Sequence, residues 1–315
     1  MDKRVYGVLG IKSIMANWNA DFTGYPKTTS DGSTFGSDKA FKYPMKKMWE
    51  DEGEKVLYIK SMKISKDNKN NVQLVPRSLK ERYEYLFKIE DLKKCKDASL
   101  VISNLFKCID VKNFGATFAE EGNNVSITGA VQLGQGFNKD KDTTPEEQQI
   151  LSPFRDPKKS NNQDQTESKS STLGTKIVSN EAHYFYPFAI NPSAYKNYQE
   201  LELTEGYTED DYKKFKDTSL KAATSYSTNS KMGCENEFGL FVETERDLYL
   251  PDLSQYIQFE KSQDKNIIRI TCSELINSLS DKIKAVEIYI NPDTTKLESD
   301  IKGAKIYNIF TQKEV

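Results

Sequence analysis

The sequence predicts an α+β fold, and three observations lead to this prediction. Segments with strand-like alternation are interspersed with segments of helical periodicity, and no repeat of fixed length relates them. A long polar stretch, residues 134–175, interrupts the pattern and has too few large apolar side chains for a core of its own. Hydrophobic residues make up 37% of the 315-residue chain, which is enough for a buried core and excludes wholesale disorder. Strands and helices mixed around such an insertion are typical of α+β domains.

The first predicted elements are a buried strand and a lysine-rich helix. Residues Arg4–Ile11 are β-branched or apolar and are punctuated by glycine, which predicts a strand. A polar, glycine-rich loop follows at 17–37, and Ser37 is placed to cap a helix. Pro44 predicts a kink in this helix or a delayed start. At 100° per residue, one side of the helix carries Phe41, Met45, Met48 and Trp49, and the other carries Lys39, Lys42, Lys46 and Lys47.

The rest of the chain continues the mixture of strands and helices. Apolar and basic residues alternate over Lys55–Ile64, which predicts an exposed strand or hairpin. A turn-like segment at 121–124 joins two further strands. The remaining predicted elements are helices at 77–94, 97–108 and 208–223, and strands at 111–118, 125–133, 177–190, 238–244 and 286–290.

Charge is distributed unevenly along the chain. The net charge is −2, but residues 1–119 have a balance of +7 and residues 120–315 a balance of −9. A basic half joined to an acidic half is compatible with a local nucleic-acid surface, with complementary faces on repeated copies, or with an uneven solvated surface. Lysine outnumbers arginine 39 to 6, which favours sequence-tolerant binding of a phosphate backbone over bidentate reading of bases.

Cysteine, histidine and glycine patterns argue against several enzyme classes. The four cysteines form no CxxC pair, which predicts free thiols in a reducing cytoplasm and no zinc site. His183 is the only histidine, so any Ser-His-Asp triad or HExxH site would depend on it. Because it lies in an aromatic strand, we predict a structural role. Gly134 and Gly136 lack the rest of a dinucleotide fingerprint and predict a bulge.

Other absences in the sequence complete this picture. No phosphate-binding GxxxxGK[ST] loop is present, and the acidic clusters lack the spacing of a metal site or an acid–base pair. No apolar run is long enough to span a bilayer, and no secretory signal is evident. We therefore predict a cytoplasmic protein that needs no cofactor, binds no metal and has no membrane partner.

Two patterns indicate nucleic-acid binding, each with a plainer alternative. The lysine face of the first helix, beside a loop that contains Asn17, Asn19 and Lys27, is suited to follow a phosphate backbone. A solubilising helix face is the alternative. Aromatic residues also alternate along Ala182–Tyr186, as in sheets that stack bases. A buried core is the alternative there, and alternating aromatics favour it.

Five stretches of the sequence, in the same order, resemble a known family. The set resembles the CRISPR-associated Cascade backbone subunit, the "Cas-seven" family of the RAMP superfamily, and most closely its type I-B branch. The resemblance covers about residues 4–245. The stretches are VLGIKSIMANWNAD at 8–21, DVKNFGATF at 110–118, ITGAVQ at 127–132, LGTK at 173–176 running into the aromatic strand to 191–192, and SKMGCEN at 230–236.

This resemblance implies a more specific fold and domain organisation. It implies a modified RRM-like (ferredoxin-like) core with helical insertions and a long β-hairpin thumb. Residues 1–136 would form the first part of the palm, with an inserted helical or finger segment at about 55–109. Residues 137–175 would form the thumb insertion. Residues 176–315 would form the remainder of the palm and the C-terminal elements.

The resemblance also implies a function in antiviral defence. Family members form a helical filament along the spacer of a CRISPR RNA, grip its backbone with the palm and displace about every sixth base with the thumb. The implied partners are CRISPR RNA, target single-stranded DNA paired to the guide, further copies of the chain and other Cascade subunits. The implied RNA-binding residues are Asn17, Asn19, Lys27, Lys39, Lys42, Lys46, Lys47, Gln132, Gln135, Lys176 and Lys231, and the implied thumb wedge is Phe137, Ile150, Leu151 and Phe154.

The leading hypothesis is thus a non-catalytic RNA-binding backbone subunit, and two alternatives stay open. One is a metal-dependent endoribonuclease of the same superfamily that uses a thumb aspartate, for which Asp140, Asp142 and Asp156 are the candidates. The other is a self-assembling protein that polymerises without nucleic acid. Cleavage of RNA would favour the first alternative, and filaments that survive ribonuclease treatment would favour the second.

Overall fold

Strands and helices are mixed throughout the computed structural model, which describes residues 1–67, 70–95, 97–151 and 173–315. The predicted α+β class is confirmed. In these ranges, no helix is both long and apolar enough to cross a membrane. The helices are α1 (Asp38–Asp51), α2 (Leu79–Phe87), α3 (Ala98–Phe106), α4 (Ile109–Phe114), α5 (Lys196–Glu200), α6 (Glu209–Ser219), α7 (Ala222–Ser225) and α8 (Ser273–Ser278). The strands are β1 (Arg4–Ala16), β2 (Phe35–Gly36), β3 (Met62–Lys66), β4 (Val72–Pro76), β5 (Gly115–Glu120), β6 (Asn123–Thr128), β7 (Val131–Leu133), β8 (Gly136–Asn138), β9 (Pro145–Leu151), β10 (Leu173–Ile190), β11 (Cys234–Thr244), β12 (Ile257–Glu260), β13 (Asn266–Ile270), β14 (Ile283–Ile290), β15 (Thr295–Glu298) and β16 (Lys305–Asn308).

A nine-stranded sheet lies at the centre of the described residues. Its strand order is β16-β14-β11-β1-β10-β8-β2, and β7 and β9 also pair with β10. The predicted first strand is confirmed as β1, which pairs antiparallel with β10 on one side and β11 on the other. Side chains alternate across a strand, so Val5 and Leu9 face one layer while Tyr6 and Val8 face the other. All four are buried because both faces of the sheet are covered there.

Helices cover one face of the sheet. The predicted apolar side of α1 is confirmed for Phe41, Met45 and Trp49, each at most 1% exposed. The indole N–H of Trp49 donates to the Thr218 hydroxyl at 2.8 Å, which joins α1 to α6. Helix α6 begins at a capping box in which Thr208 and the residue three positions later exchange hydrogen bonds. These contacts fix the direction of α1 and leave its lysine side facing outward.

A small C-terminal layer, residues 253–278 and 295–298, covers part of the opposite face. Strands β12, β13 and β15 form a three-stranded sheet, and α8 follows β13. Its buried side chains, such as Ile257 and Ile268, pack with Val8, Phe238 and Leu240 of the central sheet. The family resemblance did not extend to this part of the chain. The C-terminal layer buries a surface of the central sheet that would otherwise be exposed to solvent.

Two predicted elements differ from the structure around Asp110. The prediction of a strand throughout 111–118 was wrong, because α4 ends only at Phe114 and β5 begins at Gly115. Gly115 has φ +81°, and a Cβ there would lie 2.2 Å from the Ile127 carbonyl oxygen, so glycine is required at this helix end. The strand predicted from Lys55 starts later, at Met62, because the Asp110 carboxylate accepts two upstream backbone N–H groups at 2.8 Å and holds that segment as a turn.

A β-hairpin projects from the edge of the central sheet. Strand β9 pairs antiparallel with the first part of β10, from Pro145 opposite Ser179 to Leu151 opposite Leu173. Every residue of β9 is exposed, so this arm has no layer packed over it. The Tyr25 hydroxyl donates to the Glu147 carboxylate and connects the arm to the loop before α1. The hairpin therefore projects beside the polar loop that precedes α1.

Candidate nucleic-acid interface

Helix α1 begins where the sequence predicts and presents its lysines as one surface. The Ser37 hydroxyl accepts from the Ala40 N–H at 3.3 Å and caps the helix. Pro44 is buried inside the helix, so of the two predicted effects, a kink or a delayed start, the delayed start is excluded. The lysines keep the register set by the apolar side of the helix. Met48 is only partly buried, unlike the other three residues of that side.

An open groove of about 650 Å³ runs between this surface and the α4–β5 junction. Lys39, Lys42 and Lys46 line one wall. The opposite wall includes Tyr58 and Phe114, which arrive from distant parts of the chain. The groove therefore combines cations with aromatic rings, the combination that binds single-stranded nucleic acid through phosphates and bases.

The lysines of α1 differ in how free their charges are. Lys39 is exposed and has no ion pair within the described residues. Lys42 pairs with Asp38 at 2.8 Å and lies 5.0 Å from the Phe114 ring centroid. Lys47 pairs with Asp51 at 2.7 Å and is not part of the groove lining. Lys39 is thus the most available cation of this helix, and Lys47 is already engaged by its own helix.

Lys46 is held in place rather than free. Its Nζ lies 3.5 Å from the Asp110 carboxylate and donates to the Tyr58 carbonyl at 3.3 Å. Burial lowers the pKa of Lys46 below its usual value, and the Asp110 charge opposes that effect. The contacts place this ammonium group at the floor of the groove and tie it to the turn that carries Tyr58.

The predicted loop residues mostly hold the loop itself. The Asn17 side chain is buried and donates to the carbonyls of Gly24 and Ile177 at 2.9 and 3.2 Å. Asn19 accepts from the Ser37 N–H at 2.8 Å, which attaches the loop to the start of α1. These two asparagines remain predicted RNA contacts, and their present partners are all within the chain.

Two predicted lysines near the loop have contrasting surroundings. The Lys231 ammonium donates to the Asn17 carbonyl at 2.6 Å and to the Trp18 carbonyl at 2.5 Å. Burial lowers the pKa of Lys231. Lys27 is half-buried, and its backbone N–H donates to the Asn19 carbonyl. Lys231 therefore fastens the loop, and Lys27 has no ion pair in the described part of the chain.

The other predicted contacts lie on β10 or on and between the strands that pair with it. Gln132 and Gln135 are exposed beside β7, and Lys176 is partly exposed on the β10 arm. Within the predicted wedge, Phe137 is 44% exposed and its ring lies 6.0 Å from that of Phe35. Ile150 and Leu151 are 49% and 64% exposed on β9, and Phe154 lies outside the described residues.

The aromatic strand does not offer a surface for base stacking. Tyr184, Phe185 and Tyr186 are each at most 1% exposed. Helices bury two of these rings, and the third belongs to the core beneath the C-terminal layer. The core interpretation of this strand is confirmed. His183 is fully buried and hydrogen-bonded on both ring nitrogens, which confirms a structural position.

Two of the acidic residues proposed for the alternative enzyme, Asp140 and Asp142, lie in a turn. Asp140 is buried, and its carboxylate accepts from the Asp142 N–H at 3.0 Å. Asp156 lies outside the described residues. Across the parts of the chain that are described, no group of three or more His, Cys, Asp or Glu side chains is arranged to hold a metal ion. The four cysteines are free thiols.

Sequence reasoning missed the aromatic side of the groove. Tyr43 has the spacing to join Lys39 and Lys46 on α1, and that signal was available. Tyr58 and Phe114 become neighbours of α1 only through the fold. Asp110 positions Tyr58, and Phe114 is the last residue of α4, which Gly115 ends.

Comparisons with known proteins fit this architecture. The family profile described as CRISPR-associated protein Cas7 matches residues 3–280. A chain of a solved "CRISPR RNA-guided surveillance complex, pre-nicking" is 14% identical, covers 96% of each chain and has a TM-score of 0.52, so it has the same fold. A chain of another "CRISPR RNA-guided surveillance complex" is 15% identical over 92% of this chain and 91% of that one, with a TM-score of 0.46. No curated protein matches the sequence. Since the profile spans most of the sequence, the chain belongs to the Cas7 family of CRISPR-associated proteins.

Proposed function

We propose that this chain is the CRISPR RNA-binding backbone subunit of a type I-B Cascade complex. Copies of it would polymerise along the spacer and present the guide for pairing with target single-stranded DNA. The proposal rests on family membership for the type of assembly and on the groove along α1 for the mode of binding. The type I-B assignment rests on the five sequence stretches that resemble that branch.

The groove is the observation that carries the proposal. Lys39 and Lys42 face it from one wall, and the Phe114 ring lies within 5.0 Å of the Lys42 ammonium. Lysines bind phosphates as point charges and read no base. A subunit that must accept any spacer needs this kind of contact, because base pairing with the target supplies the specificity.

The projecting hairpin supports the second part of the proposal. Its β9 arm exposes Ile150 and Leu151, one on each face of the strand, and exposed apolar side chains can wedge between bases. Phe137 lies at the base of the same hairpin. In this proposal, these side chains displace bases and the groove binds the RNA backbone.

The order of four central strands supports the RRM-like core. Read across the sheet, β11, β1, β10 and β8 are adjacent and antiparallel. Helices α1 and α6 both pack on one face, each following a strand of this set. We propose a non-catalytic role, in which the turn at Asp140 and Asp142 is structural.

Nucleic acid that copurifies with the protein tests the proposal. We expect an absorbance ratio of 260 to 280 nm that indicates bound nucleic acid, and RNA of discrete length on sequencing. After nuclease treatment at high salt, the bare protein should rebind single-stranded RNA at low salt and leave it intact. RNA cleavage by the wild type, lost on replacing Asp140 or Asp142 by alanine, would favour the endoribonuclease. Filaments formed by the nucleic-acid-free protein would favour assembly without RNA.

A further inference from the structure

The sole histidine lies in a buried charged cluster that no part of the proposed RNA contact uses. His183 Nδ1 is 2.8 Å from the Glu237 carboxylate, and Nε2 is 3.1 Å from the Glu181 carboxylate. Carboxylates of this kind accept hydrogen bonds, so each ring nitrogen must donate for both contacts to form. A neutral imidazole carries one N–H and would direct a lone pair at the other carboxylate. With both carboxylates ionised, the geometry favours the imidazolium form.

The sheet is distorted at the position that makes this cluster possible. Gly10 pairs with Phe238 and Ile11 pairs with Asn236, so Glu237 is the extra residue of a β-bulge in β11. A bulge turns the extra side chain from its regular direction. Here the carboxylate reaches His183 on β10, across the strand between them, and is 4% exposed.

The same ring contacts the C-terminal layer. The Phe259 ring of β12 stacks on the imidazole with centroids 3.9 Å apart and planes 24° apart. A cation on an aromatic face is attracted to it. Lys261, just after β12, pairs with the second oxygen of the Glu181 carboxylate. One charged ring thus holds two residues of the layer, one by stacking and one through a shared carboxylate.

The backbone around His183 also forms the base of the hairpin. The His183 N–H donates to the Asn138 side chain at 2.7 Å, and the Lys139 N–H donates to the His183 carbonyl at 2.9 Å. The Thr143 hydroxyl donates to the Glu181 carbonyl at 2.6 Å. These are residues of β8 and of the turn that leads into β9. Any displacement of His183 therefore moves the base of the hairpin.

We propose that charged His183 is a positioning residue that locks the base of the β9–β10 hairpin to the C-terminal layer. The functional part of this inference, correct placement of the hairpin on RNA, rests on the proposed function. Burial alone would lower the pKa of His183, but the Glu237 and Glu181 carboxylates outweigh burial and raise it. The charged groups on the surrounding elements are Glu181 on β10, Glu237 on β11, Lys12 on β1, Lys261 after β12, and Lys139, Asp140, Lys141 and Asp142 in the β8–β9 turn.

The pH dependence of the lock follows from the raised pKa. The lock is complete below the pKa of a free histidine, about 6.5. It weakens as the pH rises from there to the pKa of His183 in the folded protein and is lost above it. Over that interval, local opening at the hairpin base should become up to about tenfold more frequent for each pH unit.

Nitrogen NMR of the imidazole tests the charge directly, because the protein has one histidine. In wild-type protein at pH 7 we expect both ring nitrogens protonated, with a midpoint above that of free histidine. Glu237→Gln should lower the midpoint, and Lys261→Met should raise it, because the second change removes a neighbouring cation. The matched control Lys282→Met removes a lysine that pairs with Asp247 elsewhere and should leave the midpoint unchanged. A ring that is neutral at pH 7 overturns the proposal.

Hydrogen exchange tests the lock, and RNA binding tests its purpose. In wild type, exchange at 138–144 and at 257–261 should accelerate together as His183 deprotonates, and Glu237→Gln should show this acceleration already at pH 7. Independent exchange in the two segments overturns the proposal. RNA affinity at fixed salt should fall over the same interval in wild type and show no such step in Glu237→Gln. Failure to bind RNA at any pH would refute the proposed function, whereas the exchange experiment would still decide whether the lock exists.

Discussion

Replacing the groove lysines separates RNA binding from folding. Lys39 is exposed, and Lys42 contacts a partly exposed Asp38 at the start of its own helix and the Phe114 ring. Neither packs in the core, so the double change Lys39→Ala/Lys42→Ala should leave the free energy of unfolding within about 0.5 kcal/mol of wild type. RNA affinity should fall sharply, because in the proposed function each of these two lysines neutralises a phosphate.

The size of the loss follows from counterion release. Each phosphate contact on a single strand contributes a slope of about 0.7 to the dependence of log affinity on log salt concentration. Measured from about 1 M salt, where this contribution vanishes, one contact is worth about eightfold at 50 mM and about threefold at 200 mM. The double variant should therefore bind about sixtyfold more weakly at 50 mM and about tenfold more weakly at 200 mM, with a slope lower by about 1.4.

Fluorescence anisotropy of a labelled, unstructured RNA across this salt range measures both quantities. Lys47→Ala is the matched control, since Lys47 is on the same helix but pairs with Asp51 outside the groove. It should change affinity less than about twofold. A double variant with the wild-type slope, or a Lys47→Ala loss as large as that of the double variant, would refute the assignment of the groove.

Three further predictions concern the fold and the hairpin. Asp110→Asn should lower the free energy of unfolding, measured by urea titration, by about 3 kcal/mol. The reason is that an amide cannot accept both of the backbone N–H groups that the carboxylate accepts. A change below about 0.5 kcal/mol would contradict this reasoning. Trp18→Phe should cost about 2 kcal/mol in the same assay, since it removes the indole N–H that donates to the buried Tyr186 hydroxyl at 2.6 Å, and an unchanged midpoint would show that this bond is dispensable. Ile150→Ser/Leu151→Ser should leave stability unchanged. It should reduce the fluorescence of 2-aminopurine bases placed in bound RNA where the hairpin unstacks them. Equal fluorescence in variant and wild type would show that these two side chains do not displace bases.

Local sequence signals predicted the elements whose environment is simple. The strand at Arg4 is visible because its apolar residues form a continuous run that is buried on both faces. The helix after Ser37 is visible because its apolar periodicity matches its final burial. The segment at 111–114 was read as a strand from its β-branched and apolar residues. The decisive residue is Gly115, which ends a helix. From the sequence alone, a glycine at this position is compatible with a helix end or with a strand, and only the folded contacts decide between them.

The candidate site was predictable only in part, because side-chain direction depends on the whole fold. The lysine face of α1 follows from helical geometry alone. The inward direction of Lys231, toward the carbonyls of Asn17 and Trp18, cannot be derived in this way, since Lys231 is more than 200 positions from both residues. The same is true of the cluster around His183, whose partner Glu237 reaches it through a bulge that no local pattern marks.

Native mass spectrometry of the protein with single-stranded RNAs of increasing length tests the central claim most directly. A backbone subunit should bind each RNA in a discrete number of copies that rises by one for every added increment of about six nucleotides, at ionic strengths low enough to preserve phosphate contacts. The nucleic-acid-free protein should not form the same series. A protein that stays monomeric and unbound with every RNA at low salt would contradict the account, and the family fold would then serve another function.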